Sequence, residues 1–103
     1  MKKRLETLIE LLKNDPNDTF TLYAIALEYI SLKEYESAIK YLSSVIEKDE
    51  KYIAAYQQLG YVYSTTNRKE EAAQTYQKGL EVANSTKDKH AADTFSRFLV
   101  ELK

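Results

Sequence analysis

With 103 residues, 44% of them hydrophobic and 30% charged, the chain holds enough for one core and too little for two. Its 15 basic and 16 acidic residues leave a net charge of −1, without the basic excess from which a nucleic-acid binder of this size draws its affinity. Cysteine is absent, which excludes disulfides, thiolate metal sites and cysteine nucleophiles.

The N-terminus opens Met1-Lys2-Lys3-Arg4, but Glu6 and Glu10 interrupt the stretch where a secretory signal needs an uncharged apolar run. No window approaches the ~20 apolar residues of a membrane span, so a soluble, cytoplasmic protein is expected. Leu5, Leu8, Ile9 and Leu12 form one stripe at helical spacing, predicting a first helix that ends near Asn14. Asp15-Pro16-Asn17-Asp18 breaks that helix and opens the next, with proline near the first turn. The two aspartates there read as turn and cap. A calcium loop would need alternating oxygen ligands and a glycine at the bend, and neither is present.

The second helix, over 18–31, carries a core stripe of Leu22, Ile25, Ala26 and Tyr29. Its opposite stripe is Phe20, Tyr23, Ala24, Leu27 and Ile30, so the helix is apolar all round; such a helix is covered on both sides or has something to bind. After the polar turn Ser31-Leu32-Lys33-Glu34, a third helix shows Ala38, Leu42, Val45 and Ile46. A fourth, over 53–65, carries Tyr56, Leu59, Gly60 and Tyr63. Then come the turn Thr65-Thr66-Asn67-Arg68 and a fifth helix with Ala72, Tyr76, Gly79 and Leu80. Asn84-Ser85-Thr86-Lys87 reads as the next turn and Asp88 as an N-cap. The closing helix sets Ala91, Phe95, Phe98 and Leu102 on one face. Scarce glycine (two) and proline (one) suit long helices joined by short turns.

The elements repeat. A shift of 34 residues carries Ala38 to Ala72, Tyr29 to Tyr63, Glu36 to Glu70 and Glu47 to Glu81, and keeps chemical type from Ile25 to Leu59 and from Ala26 to Gly60. The same shift backward lays Leu8, Leu12 and Asp15 onto Leu42, Ile46 and Asp49. Small residues at Ala26, Ala38, Gly60 and Ala72 allow the helices of each pair to approach closely. The chain therefore divides into an incomplete leading helix (1–15), two helical hairpins (19–52 and 53–86) and a closing helix (88–103) that fits the first-helix pattern with one extra residue in the turn before it.

Tyr56, Leu59, Gly60, Tyr63, Ala72 and Tyr76 in the second hairpin resemble the tetratricopeptide repeat. The first hairpin departs from that pattern at Leu22, where tryptophan is usual, and at Val45, where a small residue is expected. The repeat-ending proline is missing at Glu50 and Asn84 and is found at Pro16. Nearly the whole chain is similar to small stand-alone bacterial proteins of this family. The resemblance implies an all-α, right-handed, antiparallel helical-hairpin solenoid of about six helices, acting as a scaffold that holds a protein or peptide.

Catalytic chemistry has little to stand on. His90 is the single histidine; Asp88 and Asp93 lie near it, a combination common on solvated helix starts, and a base or ligand would need a third, orienting group. Glycine-rich phosphate loops, Ser-His-Asp sets and paired metal-binding histidines are missing. No enzyme activity, cofactor or metal is expected. The resemblance places the ligand on the first helices of the hairpins, at residues turned away from the core: Phe20, Tyr23 and Leu27 from one, and Gln57, Gln58, Tyr61 and Ser64 from the other. It also argues against the clamp that some family members use for a terminal carboxylate. The corresponding positions are Tyr23, Leu27, Gln58, Lys89 and Asp93, of which only Lys89 suits an anion. A protein or peptide partner is thus expected, with no nucleic acid and no membrane. The alternative is a structural self-association unit, a homodimer through the apolar inner face; RNA binding would need a basic groove that this charge balance does not supply.

Overall fold

The computed structural model describes residues 2–103, and Met1, the start of the 1–15 segment, lies outside the described residues. Six helices follow one another: α1 (Lys2–Asn14), α2 (Thr19–Ser31), α3 (Tyr35–Lys48), α4 (Ile53–Thr65), α5 (Lys69–Ser85) and α6 (Lys89–Glu101). No strand occurs among the described residues. Each helix packs on the next in chain order, giving a right-handed helical-hairpin solenoid in a slab of 38 × 29 × 18 Å.

Side chains fix where two of the helices begin. Asp18 is the N-cap of α2: its carboxylate accepts the Phe20 N–H at 3.2 Å and the Thr21 hydroxyl at 2.7 Å, a cap that stabilises by roughly 1 kcal/mol. Pro16 lies ahead of that cap rather than in the first turn of the helix. It sits in a four-residue turn closed by the Asp18 N–H donating to the Asp15 carbonyl at 3.1 Å. Asp88 caps α6 by accepting the Ala91 N–H at 3.0 Å.

Three helices end alike. Lys33, Asn67 and Lys87 take left-handed backbone, with φ of 60°, 66° and 60°. The amide that follows each reaches back to the last turn, Glu34 to the Tyr29 carbonyl at 2.9 Å, Arg68 to Tyr63 at 2.8 Å and Asp88 to Ala83 at 2.8 Å. This closure satisfies carbonyls that the helix end would otherwise leave orphaned. The α3–α4 turn differs, ending on an extended Asp49 with φ of −146°.

The turn expected over Asn84-Ser85-Thr86-Lys87 is shorter than its composition suggests. Asn84 and Ser85 belong to α5, which runs 17 residues against 14 for α3. Ala83, fully buried, extends the stripe of Ala72, Tyr76 and Gly79 and carries the helix on. The additional length that the closing helix requires is therefore in α5, not in the turn.

The core forms two connected clusters. One gathers Leu22, Ala26, Ala38, Leu42, Val45, Ala55, Leu59 and Val62 from α2, α3 and α4; the other gathers Tyr56, Ala72, Tyr76, Ala83, Ala91 and Phe95 from α4, α5 and α6. Ile46 and Tyr63 pack against both and join them. Phe95 is wholly buried, so its removal from water is worth roughly 2–3 kcal/mol.

Glycines supply the close approaches. A Cβ on Gly60 would overlap the Tyr76 ring, 2.6 Å from Cδ1 and 2.7 Å from Cζ. The nearest neighbour of Gly60 is thus the ring of Tyr76. Gly79 does the same for Phe95, whose Cε1 would lie 2.6 Å from an added Cβ. One polar clasp spans the hairpins: Arg68 donates to Glu71 at 2.8 and 2.9 Å and to Glu36 on α3 at 3.1 Å, with its guanidinium 4.8 Å from the centre of the Tyr63 ring. The hydrogen bond from Arg68 holds the Glu71 carboxyl below its ordinary range.

Candidate functional site

Helices α4 and α6 lie on either side of α5 in the packing order, and between their exposed edges opens a groove of about 740 Å³. Gln57, Gln58, Tyr61 and Ser64 line it from α4, a spacing that keeps them on one helix face. His90, Thr94, Arg97, Phe98 and Glu101 line it from α6, also at helical intervals. Tyr76 of α5 forms the floor, its ring 5.0 Å from that of Phe98 and 6.2 Å from that of Phe95. Burial raises the Tyr76 phenol above its ordinary value, and the nearby Glu101 carboxylate pushes it further the same way. The floor hydroxyl is therefore a neutral hydrogen-bonding group. Arg97 extends over Phe98 with its guanidinium carbon 5.9 Å from the ring centre.

The groove is mixed in character. It offers two carboxamides, four hydroxyl groups, an imidazole and one charge of each sign around three aromatic rings. Tyr61 is 48% exposed on the groove wall. Among the described residues no three His, Asp or Glu side chains converge as a metal site would require. His90 is exposed at the groove edge.

Of the seven residues expected at the site, Gln57, Gln58, Tyr61 and Ser64 come together here, whereas Phe20, Tyr23 and Leu27 do not line this groove. They belong to α2. Tyr23 is half-buried, its ring 5.2 Å from that of Tyr52 at 43°, and its hydroxyl lies on the side of the Gln58 side chain. Burial raises the Tyr23 phenol; the neighbouring Gln58 carboxamide acts against that rise, and Tyr52 adds to it. Leu27 is half-buried, and Phe20 is 68% exposed at the start of its helix. Helix α1 packs on α2 and joins it through an Arg4–Glu28 ion pair of 3.5 Å.

The contribution of α6 and the floor were not foreseen. A stripe of His90, Thr94, Arg97, Phe98 and Glu101, read beside the core stripe of the closing helix, is the signal that would have found the second wall. Tyr76 offers no such signal, because a residue in the core stripe of its own helix also reaches the groove.

No helix is long and apolar enough to cross a membrane among the described residues. A family model described as tetratricopeptide repeat matches residues 29–92. No curated protein matches the sequence. Among solved structures, the chain is similar to a tetratricopeptide repeat domain protein of Salinibacter ruber, with 28% identity, a TM-score of 0.81, and 86% of this chain and 90% of that one covered. It is also similar to the TPR2B domain of yeast Sti1 in its complex with pHsp70, at 17% identity and a TM-score of 0.87, covering 95% and 78% of the two chains. The type III secretion translocator chaperone SycD of Yersinia enterocolitica matches at 16% identity and a TM-score of 0.88, covering 98% and 70%. At those identities the two latter likenesses are of fold. With the family model spanning more than half of its length, the chain belongs to the tetratricopeptide repeat family.

Proposed function

We propose that the chain is a protein-interaction module that receives an extended segment of a partner protein in the groove between α4 and α6. The observation that carries this reading is the convergence of Gln57, Gln58, Tyr61 and Ser64 with Arg97 and Phe98 over the Tyr76 floor. Paired carboxamides supply donors and acceptors for a peptide backbone, and the rings of Tyr61 and Phe98 supply contact area at low entropic cost. One positive and one negative side chain leave the groove nearly neutral, so attraction from a distance contributes little and binding depends weakly on salt. The yeast Sti1 domain, with the same fold, is seen in complex with pHsp70, which supports a partner of the same kind. The reading is of binding rather than catalysis, in the cytoplasm.

The test is titration of the isotope-labelled protein with a soluble mixed-sequence heptapeptide library, followed by nuclear magnetic resonance. Amide and side-chain signals of Gln57, Gln58, Tyr61 and Thr94 are expected to shift. Gln57→Ala with Tyr61→Ala should weaken the effect at least about tenfold while leaving the helical signal intact. Shifts confined to α2, or a change in sedimentation caused by Phe20→Ser, would instead favour self-association through the exposed Phe20.

A further inference from the structure

Tyr23 and Tyr52 pack ring to ring, with centroids 5.2 Å apart, and form an aromatic corner near which Phe20 stands exposed at the start of α2. Phe20 and Tyr23 are one turn apart on α2, and Tyr52 closes the corner from the α3–α4 turn, its ring inclined at 43° to that of Tyr23. Phe20 is largely exposed, while the two tyrosines are half-buried. Two carboxylates adjoin these rings. Asp18 accepts the backbone N–H of Phe20 at 3.2 Å, and Asp49 accepts that of Lys51 at 3.1 Å in the turn leading to Tyr52. Neither takes part in any ion pair among the described residues, which join Arg4 to Glu28, Lys13 to Glu10, and Arg68 to Glu36 and Glu71. The Tyr52 phenol is raised above its ordinary value by burial first and then by Asp18 and Asp49, as befits a ring in a negative field.

Aromatic faces and unpaired carboxylates attract the same thing, a cation. An apolar side chain would be drawn to the rings but would strip water from the acids without compensation, and an acidic one would be repelled. We infer that this corner receives a lysine or arginine side chain of the partner segment that lies in the neighbouring groove. The inference rests on the groove reading above. Gln58 makes the connection, since it lines the groove on one side and lies beside the Tyr23 hydroxyl on the other. The corner thereby sets composition and direction: a segment enters with a basic residue at the α2 end and continues along the carboxamides toward Arg97.

The experiment uses four soluble heptapeptide libraries, mixed at every position except a central arginine, lysine, norleucine or glutamate, each passed over the immobilised full chain. The arginine and lysine libraries should be retained about fivefold more than the norleucine library, as for one exposed cation–π contact with nearby carboxylates, and the glutamate library least. That advantage should vanish in Asp49→Asn, which keeps an acceptor for the Lys51 amide, and in Phe20→Ser, which alters an exposed side chain. Retention of the norleucine library should be unchanged in both. Equal retention of all four libraries, with signals of Gln57 and Tyr61 still shifting, would remove the cation corner and leave the groove standing. A basic preference that survives both substitutions would place its origin elsewhere, with Glu101 the next carboxylate, and would overturn the inference as well. Retention of none would remove the groove and the corner together.

Discussion

The ring of Tyr76 rests on the bare backbone of Gly60, so closely that no Cβ fits between them. Gly79 and Phe95 repeat the arrangement one helix further on. Alanine normally favours a helix over glycine by about 1 kcal/mol, but here a buried ring would have to move. Gly60→Ala and Gly79→Ala should therefore each destabilise, by about 1–3 kcal/mol for overpacking less that propensity gain. Urea unfolding of each variant checks this, and a Gly60→Ala protein as stable as the parent would show that Tyr76 can retreat.

Left-handed backbone at Lys33 and Lys87 sets up a second expectation. A residue with a Cβ is held there at a cost of about 1 kcal/mol that glycine does not incur. Lys33→Gly and Lys87→Gly should raise stability by about 0.5–1 kcal/mol, and Lys33→Val, with a branched Cβ, should lower it. Thermal melts of the three variants give opposite signs if the turn geometry is right.

The tyrosines predict the alkaline limit of the fold. Burial raises the phenols of Tyr23, Tyr52, Tyr56, Tyr63 and Tyr76 above an ordinary value of 10.0. A raised folded value means that the unfolded chain ionises first. The stabilisation is then complete below about pH 10 and is lost as pH rises through the folded values. Tyrosinate absorbance and helical signal followed together should show ionisation of these phenols coinciding with unfolding; smooth ionisation with the helices intact would disprove the coupling.

Most of the fold was legible in the sequence because the buried stripe repeats every 34 residues and polar caps punctuate it at Asp18 and Asp88. The end of α5 was not. Asn84 and Ser85 are turn-formers by composition, but the buried Ala83 before them holds the helix, and tertiary packing outweighs local preference. Of the proposed groove, one wall was legible and the other was not. The α4 wall follows from one helical face, whereas the α6 wall reads in isolation as solvated polar surface. What brings them together is the packing of both helices on α5, a tertiary relationship no single stripe encodes.

The two end helices should not be equivalent. Helix α6 contributes Ala91 and Phe95 to the buried core and fills the seat on Gly79, whereas α1 contributes Leu5 as its one buried hydrophobic residue among those described. Deleting 88–103 should abolish cooperative unfolding and cause aggregation. Deleting 1–14 should leave a folded protein with reduced stability. Calorimetry and light scattering of both truncations test the order, and equal losses would contradict it.

Tyr76 has one ring edge against Gly60 and also forms the floor of the groove. Mutational routes to a new partner are therefore unequally open. Gln57, Ser64, Thr94 and Arg97 can vary one at a time, changing what is recognised while the hairpins stay packed. A change at the floor alters folding and recognition in the same step, and needs a compensating change beneath it. Diversification of this surface is channelled to its rims.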